Sequence, residues 1–214
     1  MPLTFLDYFC LIEFFIGLLC FHKFDKQLKI FFGTSVLGAA HGFLLRLMKN
    51  PVQINTEQLV FTLLIGTIYF SYFLCLMKQP NRKKILVVFF GVSLLLTFVE
   101  IKFFGINTYR IWFTEIVIYF FLLIFSIISI VKISFENISP DKKIINNLIG
   151  IPLLFYFIFF IYQDITIGLL WKSSTEYYMD IFDGITASVS ILSTICNIIA
   201  YLCQPKQVPY LQPH

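Results

Sequence analysis

Seven apolar runs, each close to the length that crosses a lipid bilayer, leave the chain almost no room for anything else. A hydrocarbon core about 30 Å thick takes about 20 helical residues. Runs of that order lie at about 3–21, 28–47, 57–77, 84–104, 110–131, 146–170 and 177–203, separated by short polar stretches such as HKFDKQ (22–27), KQPNRKK (78–84) and ENISPDKK (136–143). The spacing predicts an all-α, polytopic integral membrane protein. It forms one seven-helix transmembrane domain over residues 1–204, followed by a short cytoplasmic tail over 205–214. Composition agrees: 13% of the 214 residues are charged and 58% are hydrophobic, against about a quarter charged in soluble domains. A β-barrel would show short alternating segments instead.

The prolines fit this division. Pro51, Pro80 and Pro140 are expected in loops and Pro205, Pro209 and Pro213 in the tail. Only Pro152 lies inside a run, where it is expected to kink the sixth helix by freeing the carbonyl of Leu148. The first run starts at Leu3 with its basic residues after it, at Lys23 and Lys26. That is the reverse of a cleaved signal peptide, so a retained helix is expected. The five cysteines contain no CxxC pair and lie mostly in apolar sequence, which suits small hydrophobes better than a disulfide or metal framework.

Charge sets the expected orientation. Eleven of the sixteen Lys and Arg fall on the side of the first, third and fifth connections and the tail, and five on the other side. The basic side is expected to be cytoplasmic, which puts the N-terminus outside and the C-terminus inside. The acids run the other way: three lie on the basic side, and nine are outer or in outer halves of helices. Anionic headgroups and orientation account for the basic loops, so no nucleic-acid partner is expected.

Ionisable residues within a span are costly and usually face the bundle interior or a wet cavity. Counted along the helices, His41, Glu100, Glu115 and Asp164 lie about four to six residues from the outer ends of four different spans, and Asp183 enters the same zone with Asp180 one turn above. Glu13 is deeper, near the middle of the first span. These seven residues are the candidates for ligand binding or coupling, and their common depth suggests an acidic cluster open to the outside. The competing reading is structural. A charge five residues from a helix end can reach the interface, and Arg46, Lys102, Arg110 and Lys172 could pair with these acids at the helix ends.

His41 sits in Gly38-Ala39-Ala40-His41-Gly42. Gly38 and Gly42, four residues apart, are expected to form a close helix-packing face. His41 is then either a packed histidine hydrogen-bonded across that face or a titratable partner for Glu13 or Asp164. A metal site is disfavoured because no HxxxH or Glu-x-x-His spacing exists. No GxSxG, GxGD or phosphate-binding glycine loop occurs, and no lysine lies inside the seventh run. The motifs therefore support no catalytic residue, metal or cofactor, and the chain is not expected to be an enzyme.

The run INTYRIWFTEIVIYFFLL, the linker ENISPDKK, the stretch IGIPLLFYFIFF and the closing NIIAYLC are familiar together. Over about residues 105–203 they resemble small, uncharacterised seven-helix membrane proteins of Bacteroidetes-type bacteria, in which an Asn-x-Tyr precedes a helix-5 glutamate, here Asn107, Tyr109 and Glu115. The resemblance implies a seven-helix bundle in a bacterial inner membrane and carries no activity with it. Three kinds of function fit the pattern. The first is a sensory or ligand-binding module that signals to a cytoplasmic protein partner. The second is a small-solute or proton-coupled transporter using Glu13, His41 and Asp164. The third is an accessory or effector membrane protein acting as a homo-oligomer beside other gene products.

Overall fold

The computed structural model describes residues 5–48, 51–104, 113–136, 138–170 and 175–204. They form seven α-helices: α1 (Phe5–Cys20), α2 (Lys26–Leu47), α3 (Pro51–Leu76), α4 (Arg82–Phe104), α5 (Phe113–Phe135), α6 (Pro140–Leu170) and α7 (Thr175–Leu202). One 3-10 turn (Phe21–Lys23) joins α1 to α2. There is no strand among the described residues. Five helices, α3 to α7, are long and apolar enough to cross a membrane.

The helix starts follow from their first residues. Asp25 caps α2, its carboxylate accepting the Leu28 N–H at 2.9 Å, which satisfies one of the amides a helix start leaves free. Pro51 and Pro140 do not sit in loops, as the sequence suggested; each is the first residue of a helix, α3 and α6. A proline there loses nothing, because its missing N–H would have had no helical partner and its fixed φ already suits the helix. As a result α3 begins six residues earlier than its apolar run. The C-terminus of α3 closes with the Gln79 N–H on the Leu74 carbonyl (3.2 Å) and the Lys78 N–H on the Cys75 carbonyl (3.1 Å), with Lys78 left-handed at φ 52°. This is the Schellman closure, with lysine where glycine is usual. α6 continues as helix through Pro152.

Helix order in space is a ring. α1 packs on α2, α2 on α3, α3 on α5, α5 on α6, α6 on α7 and α7 back on α1, while α4 lies outside against α3 and α5. Of the five long, apolar helices, α3 is the best enclosed, with 67% of its most apolar window buried, and α4 the least, with 17%. Large apolar side chains stand outward, among them Phe15, Leu19, Phe43, Val87, Phe98, Phe103 and Phe135, each more than half exposed. Soluble proteins do not leave such a surface to water, so the fold is that of a multi-pass membrane bundle.

The chain enters and leaves this bundle so that the first, third and fifth connections and the end of α7 meet at one end, here the basic end. Gln27 donates to the Cys75 carbonyl (3.3 Å) and Lys132 to the Met77 carbonyl (2.5 Å), while Lys78 meets Glu136 at 3.4 Å. The aromatic core lies toward this end, around Phe24, Phe31, Tyr72, Phe73, Phe157 and Tyr201, all fully buried. Their rings meet edge-to-face or tilted, as in Phe24–Tyr201 at 5.0 Å and Phe73–Phe157 at 6.4 Å, the arrangements aromatic quadrupoles favour.

Candidate functional site

Glu13 lies midway along α1, with apolar residues from Phe14 to Cys20 after it. Its side chain is buried against α2 and α7. One carboxylate oxygen accepts from the Ser35 hydroxyl at 2.6 Å, the Asn197 amide at 3.1 Å and the Tyr201 hydroxyl at 3.3 Å. Thr194 also lies beside the carboxylate. Ser35 and Tyr201 also meet each other at 2.9 Å. The α7 partners, at 194, 197 and 201, follow a 3–4 spacing that lines one helix face. Removing a carboxylate from water is costly unless donors replace the hydration shell, and three side chains from two other helices do so here. The enclosure is tight: a Cβ at Gly17, one turn on, would collide with the Phe32 ring and lie 3.2 Å from the Tyr201 ring. One atom of the network is left over, since the Asn197 Oδ1 is buried without a hydrogen-bond partner.

Glu100 and Glu115 meet at the start of α5. Glu100, on α4, accepts the backbone N–H groups of Phe113 and Thr114 and, at 2.6 Å, the Thr114 hydroxyl. Its carboxylate therefore caps the N-terminus of the next helix, where free amides and the helix dipole favour negative charge. Glu115, in the first turn of α5, accepts from the Thr62 hydroxyl of α3 at 2.8 Å. Both side chains are buried.

His41 does not reach Glu13. Its Nδ1 meets Glu57 on α3 at 2.8 Å, and its ring stacks on Phe61 with centroids 3.8 Å apart. Depth counting missed this because the early start of α3 at Pro51 carries Glu57 into the second turn of the helix instead of leaving it at the boundary. The other Glu57 oxygen is buried without a partner. Gly38 does not make the close contact expected of it, for a Cβ built there would meet nothing within 4 Å. The tightest approaches among the described glycines fall at Gly17 and at Gly66, where a Cβ would lie 2.8 Å from Ile118.

The acids thus divide. Glu13 is held among α1, α2 and α7, and Glu100 and Glu115 among α3, α4 and α5. Asp164 belongs to α6 and Asp180 and Asp183 to α7, with side chains outside the described residues. No group of three or more His, Cys, Asp and Glu positioned for a metal occurs among the described residues. Sequence reasoning attached none of Ser35, Thr194, Asn197 and Tyr201 to Glu13. The 3–4 spacing of Thr194, Asn197 and Tyr201 on α7 was the signal that could have found the last three.

Compared with known proteins, the chain matches no family model, no curated protein and no solved structure.

Proposed function

We propose that this is a sensory or ligand-binding membrane module in which all seven helices cross the bilayer, the basic end is cytoplasmic, and Glu13 is the group whose state carries the signal to a protein partner on that face. The Glu13 network carries this reading. One buried carboxylate holds donors from two other helices, and the last of them, Tyr201, stands two residues before Cys203, at the end of α7. Neutralising that carboxylate weakens, and displacing it removes, the one acceptor that ties α2 and α7 to α1. The unpartnered Asn197 Oδ1 supports a second arrangement, because a partly satisfied buried network is costly in the state that leaves it so.

The test measures the basic end directly. Spin labels at the exposed Cys203 and at Lys26→Cys report the separation of α7 and α2 in nanodiscs by double electron–electron resonance. Acidification is expected to shift the distance distribution of the native network, and Glu13→Gln is expected to hold it in one form at every pH. Identical pH responses with and without Glu13 would remove the sensory reading.

A second reading, proton-coupled transport, draws support from the two hydroxyls beside the carboxylate, Ser35 at 2.6 Å and Tyr201 at 3.3 Å, which give Glu13 exchangeable neighbours. In proteoliposomes it requires solute uptake driven by an imposed pH gradient and abolished by Glu13→Gln.

A further inference from the structure

The basic end holds a narrow cleft between α2, α3, α6 and α7, whose polar lining is Asp25, Gln27, Tyr72, Lys142, Asn146 and Gln204. Tyr72 is the deepest of these: its side chain is 1% exposed, and its hydroxyl has no hydrogen-bond partner. A buried hydroxyl without a partner costs free energy and calls for a physical account. The cleft provides one. Its volume of about 20 Å³ exceeds the roughly 10–15 Å³ that one water needs, and carboxylate and amide groups surround the same space.

One ring packs on both Tyr72 at the cleft and Tyr201 beside Glu13. Phe31, 1% exposed, packs on Tyr72 with centroids 5.1 Å apart and on Tyr201 at 6.5 Å. Tyr201 in turn reaches Glu13 at 3.3 Å. We infer that the cleft is a hydrated port that holds ordered water on the Tyr72 hydroxyl, and that Phe31 is the apolar barrier between this water and Glu13. The inference rests on Glu13 as the responding group and gives that group its route to solvent at the basic face. Rotation of one side chain would join the two.

Radiolytic hydroxyl-radical footprinting of the full chain in nanodiscs, read by mass spectrometry, tests this because radicals born from bound water mark adjacent side chains. Tyr69 is the control: at 8% exposed it is more open than Tyr72, so static exposure ranks the two in the opposite order. Tyr72 is expected to be modified about tenfold faster than Tyr69 because of its own water, and Tyr201 no faster than Tyr69. Phe31→Ala and the milder Phe31→Leu are expected to raise Tyr201 modification severalfold and leave Tyr72 unchanged. A Tyr72 as slow as Tyr69 overturns the port. A native Tyr201 as fast as Tyr72, or a Tyr201 unmoved by both variants, overturns the barrier. If neither variant folds, the three native rates still decide. Glu13→Gln that keeps the native pH response of the spin-label distances removes the sensory reading without touching the footprint, and a dry Tyr72 removes the port without touching the distances.

Discussion

Glu13 and Glu100 are both carboxylates buried in helices of an apolar bundle, yet they solve the same electrostatic problem in opposite ways. Glu100 borrows amides that exist anyway: the free N–H groups at the start of α5, together with the hydroxyl of Thr114 in the same turn. It joins two helices adjacent in sequence across one short connection. Glu13 is met by side chains alone, from α2 and from α7 at the far end of the chain. The first arrangement repairs a helix end. The second gathers side-chain donors from two other helices around a carboxyl group that no helix end requires.

Substitutions can break or sharpen that contrast. The largest effect is expected from Glu13→Leu, which strands the Ser35, Asn197 and Tyr201 donors and should lower stability by about 3 kcal/mol, measured by reversible unfolding in mixed micelles. Glu100→Leu should cost less, about 1–2 kcal/mol, the value of a lost helix cap, with faster amide exchange confined to the first turn of α5. If the order is reversed, Glu100 is the keystone and the contrast fails. Next is a double-mutant cycle. Ser35→Ala and Tyr201→Phe share the Glu13 oxygen and should couple by about 0.5–1 kcal/mol, whereas Ser35→Ala with Thr114→Val should be additive within about 0.5 kcal/mol. The smallest effect is expected from Thr62→Val, which removes the hydroxyl on Glu115 and should cost about 0.6 kcal/mol, the average for a hydrogen bond between membrane helices.

Much of this architecture was legible from apolar run lengths, because a run near 20 residues has few alternatives to a helix in a bilayer. The boundaries were less so. Proline's helix-breaking habit points to loops at Pro51 and Pro140, whereas both begin a helix. Glu13 stood out as a charge in apolar sequence, but its partners did not. Partner choice depends on which helices are neighbours and how each is rotated, and the closure of α7 onto α1 is not written in any local pattern. The same limit explains His41, whose depth pointed to Glu13 while its nearest neighbour in space was Glu57. Small residues misled in a related way. Gly38 has the sequence context of a packing residue and open space beside it, while the unremarked Gly17 lies against two aromatic rings.

That contact at Gly17 makes α1 a helix with an adjustable seat. The atoms facing it belong to Phe32 and Tyr201, rings wedged among Phe14, Phe21, Phe24 and Phe31, so they cannot swing away as a flexible chain end would. Each carbon added at this position must push α1 outward from α2 and α7, stretching the bonds to Glu13 one turn away while every one of their donors and acceptors stays in place. Glycine, alanine and valine at a single site therefore form a spacer series that varies the geometry of the carboxylate independently of its chemistry.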